Sequence, residues 1–327
     1  MKARRGRRGN SNGRGRADDS SATARSAALL QGSPLGGNRL AIIGGSAAYD
    51  LLREGGIAGT ELGPIATPFG PSAIVRELPT LEGAEPVLFL SRHGERGYGV
   101  TAPYVNYRAN VYAVKSLGAG HILAWSGPGA VDDSLAIGQY VVPDDLIDMT
   151  RGRAGTFYEN RGVGFIRQNP VFCPELRRML LAASEAVGSP ARDGATYICT
   201  QGPRLETPAE IRMFGQWGAH LVGMTLIPEA FLARELAMGY AAVCYVVNYA
   251  EGIRERPYRP GVRFEGMVTP EEDAAVKAAV RRFPELIREV ARLYASSNLA
   301  CRCHTSMDRF IASGRVDADW RKWVEPE

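Results

Sequence analysis

Between residues 40 and 248 short apolar runs alternate with amphipathic stretches, and few folds accommodate that order. Runs of strand length cover 40–44, 86–90, 121–125, 139–142, 195–200, 220–223 and 241–248. Helical spacing marks 105–117, 174–187, 208–217 and 228–238 between them. Such alternation predicts an α/β fold: a single domain over 38–297 with a mainly parallel, mixed and twisted central sheet flanked by helices. Two helix starts are explicit. Thr207-Pro208-Ala209-Glu210 and Thr269-Pro270-Glu271-Glu272 each combine an N-cap Thr, a first-turn Pro and a Glu three residues after the cap. The helix beginning at Pro270 carries Val276, Ala279, Phe283, Leu286, Ile287 and Val290 on one face, a packing stripe that Pro284 is expected to kink. Beyond residue 297 no periodic pattern is visible, so 298–327 is read as a C-terminal extension.

Residues 1–37 are different in kind. They hold eight Lys and Arg against Asp18 and Asp19, and almost no large apolar side chains. That surplus exceeds the +4 of the whole chain, so the remainder is slightly acidic and gives no reason to expect a specific nucleic-acid partner. The tail is expected to be disordered, because it cannot bury enough surface to offset its ordering entropy. Its Arg- and Ser-rich character resembles a transit peptide, but the glycines and aspartates favour a solvated tail with salt-sensitive affinity for polyanions. No apolar run is long enough to cross a bilayer. Five scattered cysteines suggest a reducing, cytoplasmic setting without a disulfide framework. Cys301-Arg302-Cys303-His304 lacks a second ligand pair at a zinc-like spacing, so no metal is expected, and a local Cys301–Cys303 bridge or two plain thiols fits the spacing.

The chemistry-bearing residues gather at the C-terminal ends of the strand-like runs. Gly44-Gly45-Ser46 follows the first, where a glycine turn brings N–H groups to an anion and Ser46 adds a hydroxyl. Ser91-Arg92-His93-Gly94 follows the second, with a guanidinium fork and an imidazole. Trp125-Ser126-Gly127-Pro128-Gly129 follows the third, and its small residues allow close approach of a flat ligand. Glu206 comes at a strand-to-helix turn, Met224-Thr225 after the run ending at Gly223, and Asn248-Tyr249-Ala250 after the last run. Each motif alone is weak: the dinucleotide-binding glycine spacing and the P-loop Lys are both absent. In a mainly parallel sheet, however, these ends share one edge, where ligands bind. The set then combines an anion clamp (Ser46, Arg92, His93, Ser126, Thr225) with an amide and a carboxylate (Asn248, Glu206).

Taken in order, Ile42-Ile43-Gly44-Gly45-Ser46, Ser91-Arg92-His93-Gly94, Pro103-Tyr104-Val105-Asn106-Tyr107-Arg108-Ala109-Asn110, Gly202-Pro203-Arg204-Leu205-Glu206-Thr207-Pro208-Ala209-Glu210 and Gly223-Met224-Thr225-Leu226-Ile227-Pro228-Glu229 resemble the methylthioadenosine phosphorylase branch of the trimeric purine nucleoside phosphorylases. The resemblance spans roughly 40–297. It implies phosphorolysis of a purine nucleoside to free base and pentose 1-phosphate, in purine salvage. It further implies that Ser46, Arg92, His93, Ser126 and Thr225 hold phosphate, and that Gly127, Leu205, Glu206, Met224, Asn248 and Ala250 hold the nucleoside. Asn248 and His93 would act in catalysis. Phosphate is a co-substrate, no cofactor is needed, and the family assembles as trimers or dimers of trimers.

Two positions speak to the base. Adenine-using members carry Asp at the place of Asn248 and again at the place of Ala250, and tend to carry Ser at the place of Glu206. An amide can donate to a 6-oxo group while facing N7, and a carboxylate can accept N1–H of hypoxanthine or guanine. Inosine, guanosine or methylthioinosine is therefore the expected substrate. The alternatives are S-methyl-5′-thioadenosine, nucleoside hydrolysis on the same fold, and a catalytically weak purine-binding homologue. Two places depart from the family, which usually has Thr-Asn-Ala or Thr-Thr-Ala followed by small residues where this chain reads Trp125-Ser126-Gly127-Pro128-Gly129, with its bulky Trp125, and commonly a Phe at the place of Leu205.

Overall fold

The computed structural model describes residues 37–79, 85–95 and 97–324, so the basic tail through Gly36 lies outside the described residues. Its centre is an eight-stranded sheet. Strands β1 (Arg39–Gly44), β4 (Val87–Ser91), β5 (Ala119–Ser126) and β12 (Gly239–Tyr245) run parallel in the order β4-β1-β5-β12 and are buried along their whole length. Continuous apolar runs are what a sheet covered on both faces requires. An antiparallel hairpin, β2 (Thr60–Thr67) and β3 (Gly70–Leu78), extends one edge, and β7 (Tyr140–Val142) with β9 (Arg192–Asp193) extends the other.

The period-two rule divides the core. Ala41, Ile43, Leu88 and Leu90 face one side with α2 (Tyr107–Ser116), whereas Leu40, Ile42, Val87 and Phe89 face the other with α3 (Pro174–Ala186) and α6 (Pro270–Ala295). Both predicted capping boxes are formed, at Thr207/Glu210 opening α4 (Pro208–Gln216) and at Thr269/Glu272 opening α6, and α6 continues past Pro284.

The single-sheet expectation needs one correction. The runs at 195–200 and 220–223 do not join the large sheet. As β10 (Thr196–Thr200) and β11 (Leu221–Gly223) they form a second, five-stranded sheet of order β13-β6-β11-β10-β8, with β6 (Gly129–Ala130), β8 (Asp145–Met149) and β13 (Asn248–Tyr249). Chain leaving β5 and β12 crosses into it, so the ends of both sheets face each other. The C-terminal extension also has more structure than its sequence suggests. It contributes α7 (Asp308–Ala312) and α8 (Arg321–Val324), and buries Phe310, Trp320 and Trp323 against the α2 face. Beside α2, on the same face of the sheet, lies α5 (Glu229–Glu235), two of whose buried carboxylates matter below, whereas α1 (Ala48–Arg53) packs on the other face with α6. Among the described residues no helix is long and apolar enough to cross a membrane.

Candidate active site

The facing sheet ends enclose a cavity of about 780 Å³, lined by Ser46, His93, Ser126, Gly127, Leu205, Glu206, Met224, Thr225, Asn248 and Ala250. A space of that size suits a small organic ligand. Backbones must approach closely to form it. A Cβ on Gly45 would lie 2.8 Å from the Trp125 carbonyl oxygen, and one on Gly127 would lie 2.8 Å from Val247 Cγ1. Trp125 itself is not an obstruction. Strand alternation turns its ring to the α6 side, where it stacks on Phe283 at 3.6 Å between centroids, while Ser126 faces the cavity.

Arg92 stands behind the cavity wall and is fully buried. Its Nε donates to Glu229 Oε2 at 3.1 Å, and Nη2 donates to Glu229 Oε1 at 2.8 Å and to the Ile43 carbonyl at 3.2 Å. Nη1 donates to the Trp125 carbonyl at 3.2 Å and to Thr225 Oγ1 at 3.4 Å. These bonds occupy all the N–H groups a guanidinium has. Burial opposes the charged form, but the facing Glu229 charge outweighs it and raises the Arg92 pKa. Tyr240 Oη donates to the same carboxylate at 2.9 Å. Glu229 is the residue whose role sequence reading missed. The signal was present: an acid within the apolar run Leu226–Leu232 must be paired to be buried.

A hydroxyl relay leads from this ion pair into the cavity. Thr225 Oγ1 lies 3.3 Å from Ser126 Oγ, which lies 3.3 Å from Tyr197 Oη. His93 Nδ1 is 2.8 Å from the Val100 carbonyl, and its ring stacks on Tyr98 at 4.4 Å. A carbonyl only accepts, so Nδ1 carries the proton. Burial, and then the Arg92 charge, push the His93 pKa down to about 4, which leaves Nε2 unprotonated at neutral pH.

The opposite end is built from loops. Thr200 Oγ1 donates to Glu206 Oε1 at 2.5 Å, and burial raises the Glu206 pKa. Asn248 Nδ2 donates to the Tyr249 carbonyl at 2.7 Å, which fixes the amide plane while a second N–H and the oxygen remain part of its capacity. Leu205 presents an exposed aliphatic surface. Arg153, unremarked in the sequence, ties these loops together. It donates to the carbonyls of Thr200, Gln201, Met224 and Ile227 at 2.6–3.1 Å. Phe264, Met267, Val276 and Val280 add an apolar wall.

Known proteins share this arrangement. Residues 39–292 match the model of the family described as Phosphorylase superfamily. The chain is 38% identical over 258 residues to the "6-oxopurine nucleoside phosphorylase" of Pyrococcus furiosus, covering 77% of this chain and 94% of that one. It is 38% identical over 250 residues to the "Probable S-methyl-5'-thioinosine phosphorylase" of Thermodesulfovibrio yellowstonii, covering 76% and 92%. A crystal structure of methylthioadenosine phosphorylase from an antarctic soil metagenomic library superposes with a TM-score of 0.69 at 30% identity, covering 84% of this chain and 91% of that chain.

Proposed function

This chain belongs to the Phosphorylase superfamily, and we propose that it splits a 6-oxopurine nucleoside with inorganic phosphate, releasing the base and a pentose 1-phosphate. The observation that carries the reading is the pairing of two unlike ends in one cavity: hydroxyls and an imidazole over a buried guanidinium, and an amide with a carboxylate across from them. A water nucleophile needs no anion clamp, so the first end favours phosphorolysis over hydrolysis.

In this reading Ser46, Ser126 and Thr225 donate to phosphate oxygens. Arg92 supplies positive charge from beneath, through Thr225, and Glu229 holds it there. His93 Nε2 accepts the proton of monoprotonated phosphate or of a ribose hydroxyl, because its Nδ1–H is already committed to Val100. As the glycosidic bond breaks, positive charge grows on C1′ and negative charge on the purine. Phosphate sits against the first, and Asn248 donates to the second. Glu206 accepts N1–H of a 6-oxopurine. Adenine N1 would face it acceptor to acceptor, at a cost on the order of 1–3 kcal/mol. Gly127, Met224 and Ala250 leave room for the flat ring, and Leu205 covers it.

The apolar wall of Phe264, Met267, Val276 and Val280 favours a 5′-methylthio substituent, so S-methyl-5′-thioinosine is included in the substrate class. We further propose a cytoplasmic homotrimer, the assembly the family resemblance implies; sedimentation at micromolar protein tests it. The decisive assay measures base release from inosine, guanosine, methylthioinosine, adenosine and methylthioadenosine, with and without phosphate. Phosphate-dependent release of hypoxanthine or guanine is expected. Release independent of phosphate, or faster adenine release, refutes the reading.

A further inference from the structure

At the opposite end of β5 from Ser126, sulfur and imidazole converge in a buried cluster. His121 enters from β5, Cys173 caps the start of α3, and Cys301 and Cys303 come from the segment after α6; all four are buried. The ligand atoms of His121, Cys173 and Cys301 lie within 4.8 Å of one another. The buried Cys303 thiol, two residues on from Cys301, interacts with both Cys173 and Cys301 and adjoins this group without belonging to it. All five cysteines are free thiols, so the local Cys301–Cys303 bridge that the spacing allowed is not formed.

The imidazole is oriented as a metal-bound one is. Tyr294 Oη donates to the Arg39 carbonyl at 3.3 Å and lies 3.0 Å from His121 Nδ1. With its own proton spent, the hydroxyl accepts from Nδ1–H. Nε2 is thereby left with its lone pair, and it points at Cys301 Sγ, 3.2 Å away. An outer partner that fixes the tautomer and aims the other nitrogen inward is the usual support of a histidine ligand. The site also depends on a missing side chain: a Cβ on Gly239 of the neighbouring strand would stand 2.2 Å from His121 Cδ2. A tetrahedral centre with bonds of about 2.3 Å to sulfur sets its sulfurs about 3.8 Å apart, so Cys173 and Cys301, already within 4.8 Å, need little closure, and Cys303 has to turn in to complete the set.

We propose that His121, Cys173, Cys301 and Cys303 form a structural site for a thiophilic divalent cation of the zinc class. Four protein ligands complete a tetrahedron and leave no open position for a substrate, which fits the distance from the cavity along β5. Soft thiolates with one imidazole select zinc over hard cations. Binding would pin the start of the C-terminal segment to β5 and α3. The second ligand pair escaped sequence reading because His121 and Cys173 are far from Cys301 in the chain and from each other.

The test is metal analysis of the full-length protein, expressed with zinc and purified under reducing conditions, together with cobalt substitution. About one zinc per chain is expected, with cobalt giving thiolate charge-transfer bands and the strong visible absorption of a tetrahedral site. Cys301→Ser and Cys303→Ser should each lower bound zinc about tenfold or more, whereas Cys199→Ala, outside the cluster, should retain it. The cobalt spectrum of the unmodified protein decides the matter even if a variant fails to fold. Zinc below about a tenth of an equivalent after loading would overturn the proposal, as would full zinc retention by Cys301→Ser. A disulfide linking any two of the three cysteines in protein kept reduced would overturn it equally.

Discussion

At the anion end of the cavity, Arg92 and Glu229 are fully buried, and every guanidinium N–H is committed within the protein. At the base end, Leu205 is 39% exposed, Glu206 is half-buried on one threonine bond, and the loops are held from outside by Arg153. The anion end presents the same charge to every substrate, so rigidity costs it nothing in range. In the proposed reading the base end decides which purine is accepted, and it rests on a few side chains that can change without disturbing the core. Reaction and specificity are thus carried by parts of unequal stiffness, and substitutions should separate them.

The largest effect is expected from Glu229→Gln. It leaves the buried Arg92 charge uncompensated, and breaking a buried pair costs about 3–5 kcal/mol. Displacing Thr225 with it should lower kcat/KM about 100-fold for all nucleosides alike. Inorganic phosphate should restore part of the lost thermal stability, since an anion bound over Thr225 offsets part of the uncompensated charge and stabilises the folded state by mass action. Unchanged stability in denaturant titrations, or a loss confined to one purine, would break the contrast between the two ends.

Asn248→Asp should do the reverse. The carboxylate accepts from a 6-amino group and from N7–H but no longer donates to a 6-oxo group, so the inosine-to-adenosine ratio of kcat/KM should fall about 10–100-fold. The Tyr249 carbonyl also loses its donor, which lowers both rates. The ratio is therefore the quantity to read. A ratio that stays put would remove Asn248 from base selection.

The two ends were not equally legible in the sequence. Gly45, Ser46, Ser126, Thr225 and Asn248 could be read because glycine turns and hydroxyls at strand ends are local signals. The Arg92–Glu229 pair joins residues 137 positions apart, so the apolar run around Glu229 signals that the acid needs a partner but not which residue supplies it. Arg153 was missed for the same reason, since it binds carbonyls of two distant loops. The hairpin β2–β3 escaped because Gly63 and Pro64 interrupt its alternation and its outer strand is largely exposed. α7 and α8 are too short to display a helical period, although Trp320 and Trp323 are buried as deeply as any core residue. Trp125 illustrates a different limit. It is bulky where the family has a smaller residue, and only the strand register shows that it points into the opposite core.

The smallest effect concerns protons at the anion end. His93 has a folded pKa of about 4 against an ordinary value of 6.5, so between those values the unfolded chain binds the extra proton. Stability from this group is full above pH 6.5 and falls as the pH drops toward 4, by about 1.4 kcal/mol per unit. Glu235 on α5 has the opposite sign. Burial, against hydrogen bonds from Thr156 and the Phe157 N–H, lifts its carboxyl to about 7, so the folded chain binds the extra proton and stability falls as pH rises from 4.5 to 7. The two slopes oppose each other between 4.5 and 6.5. His93→Asn keeps a donor near the Val100 carbonyl but cannot titrate. Denaturant unfolding across this range should show the variant losing the acid-side penalty, with every other group cancelling in the difference from the parent. An identical slope in both proteins would mean that His93 is not held neutral, and that the anion end carries one more positive charge than its geometry implies.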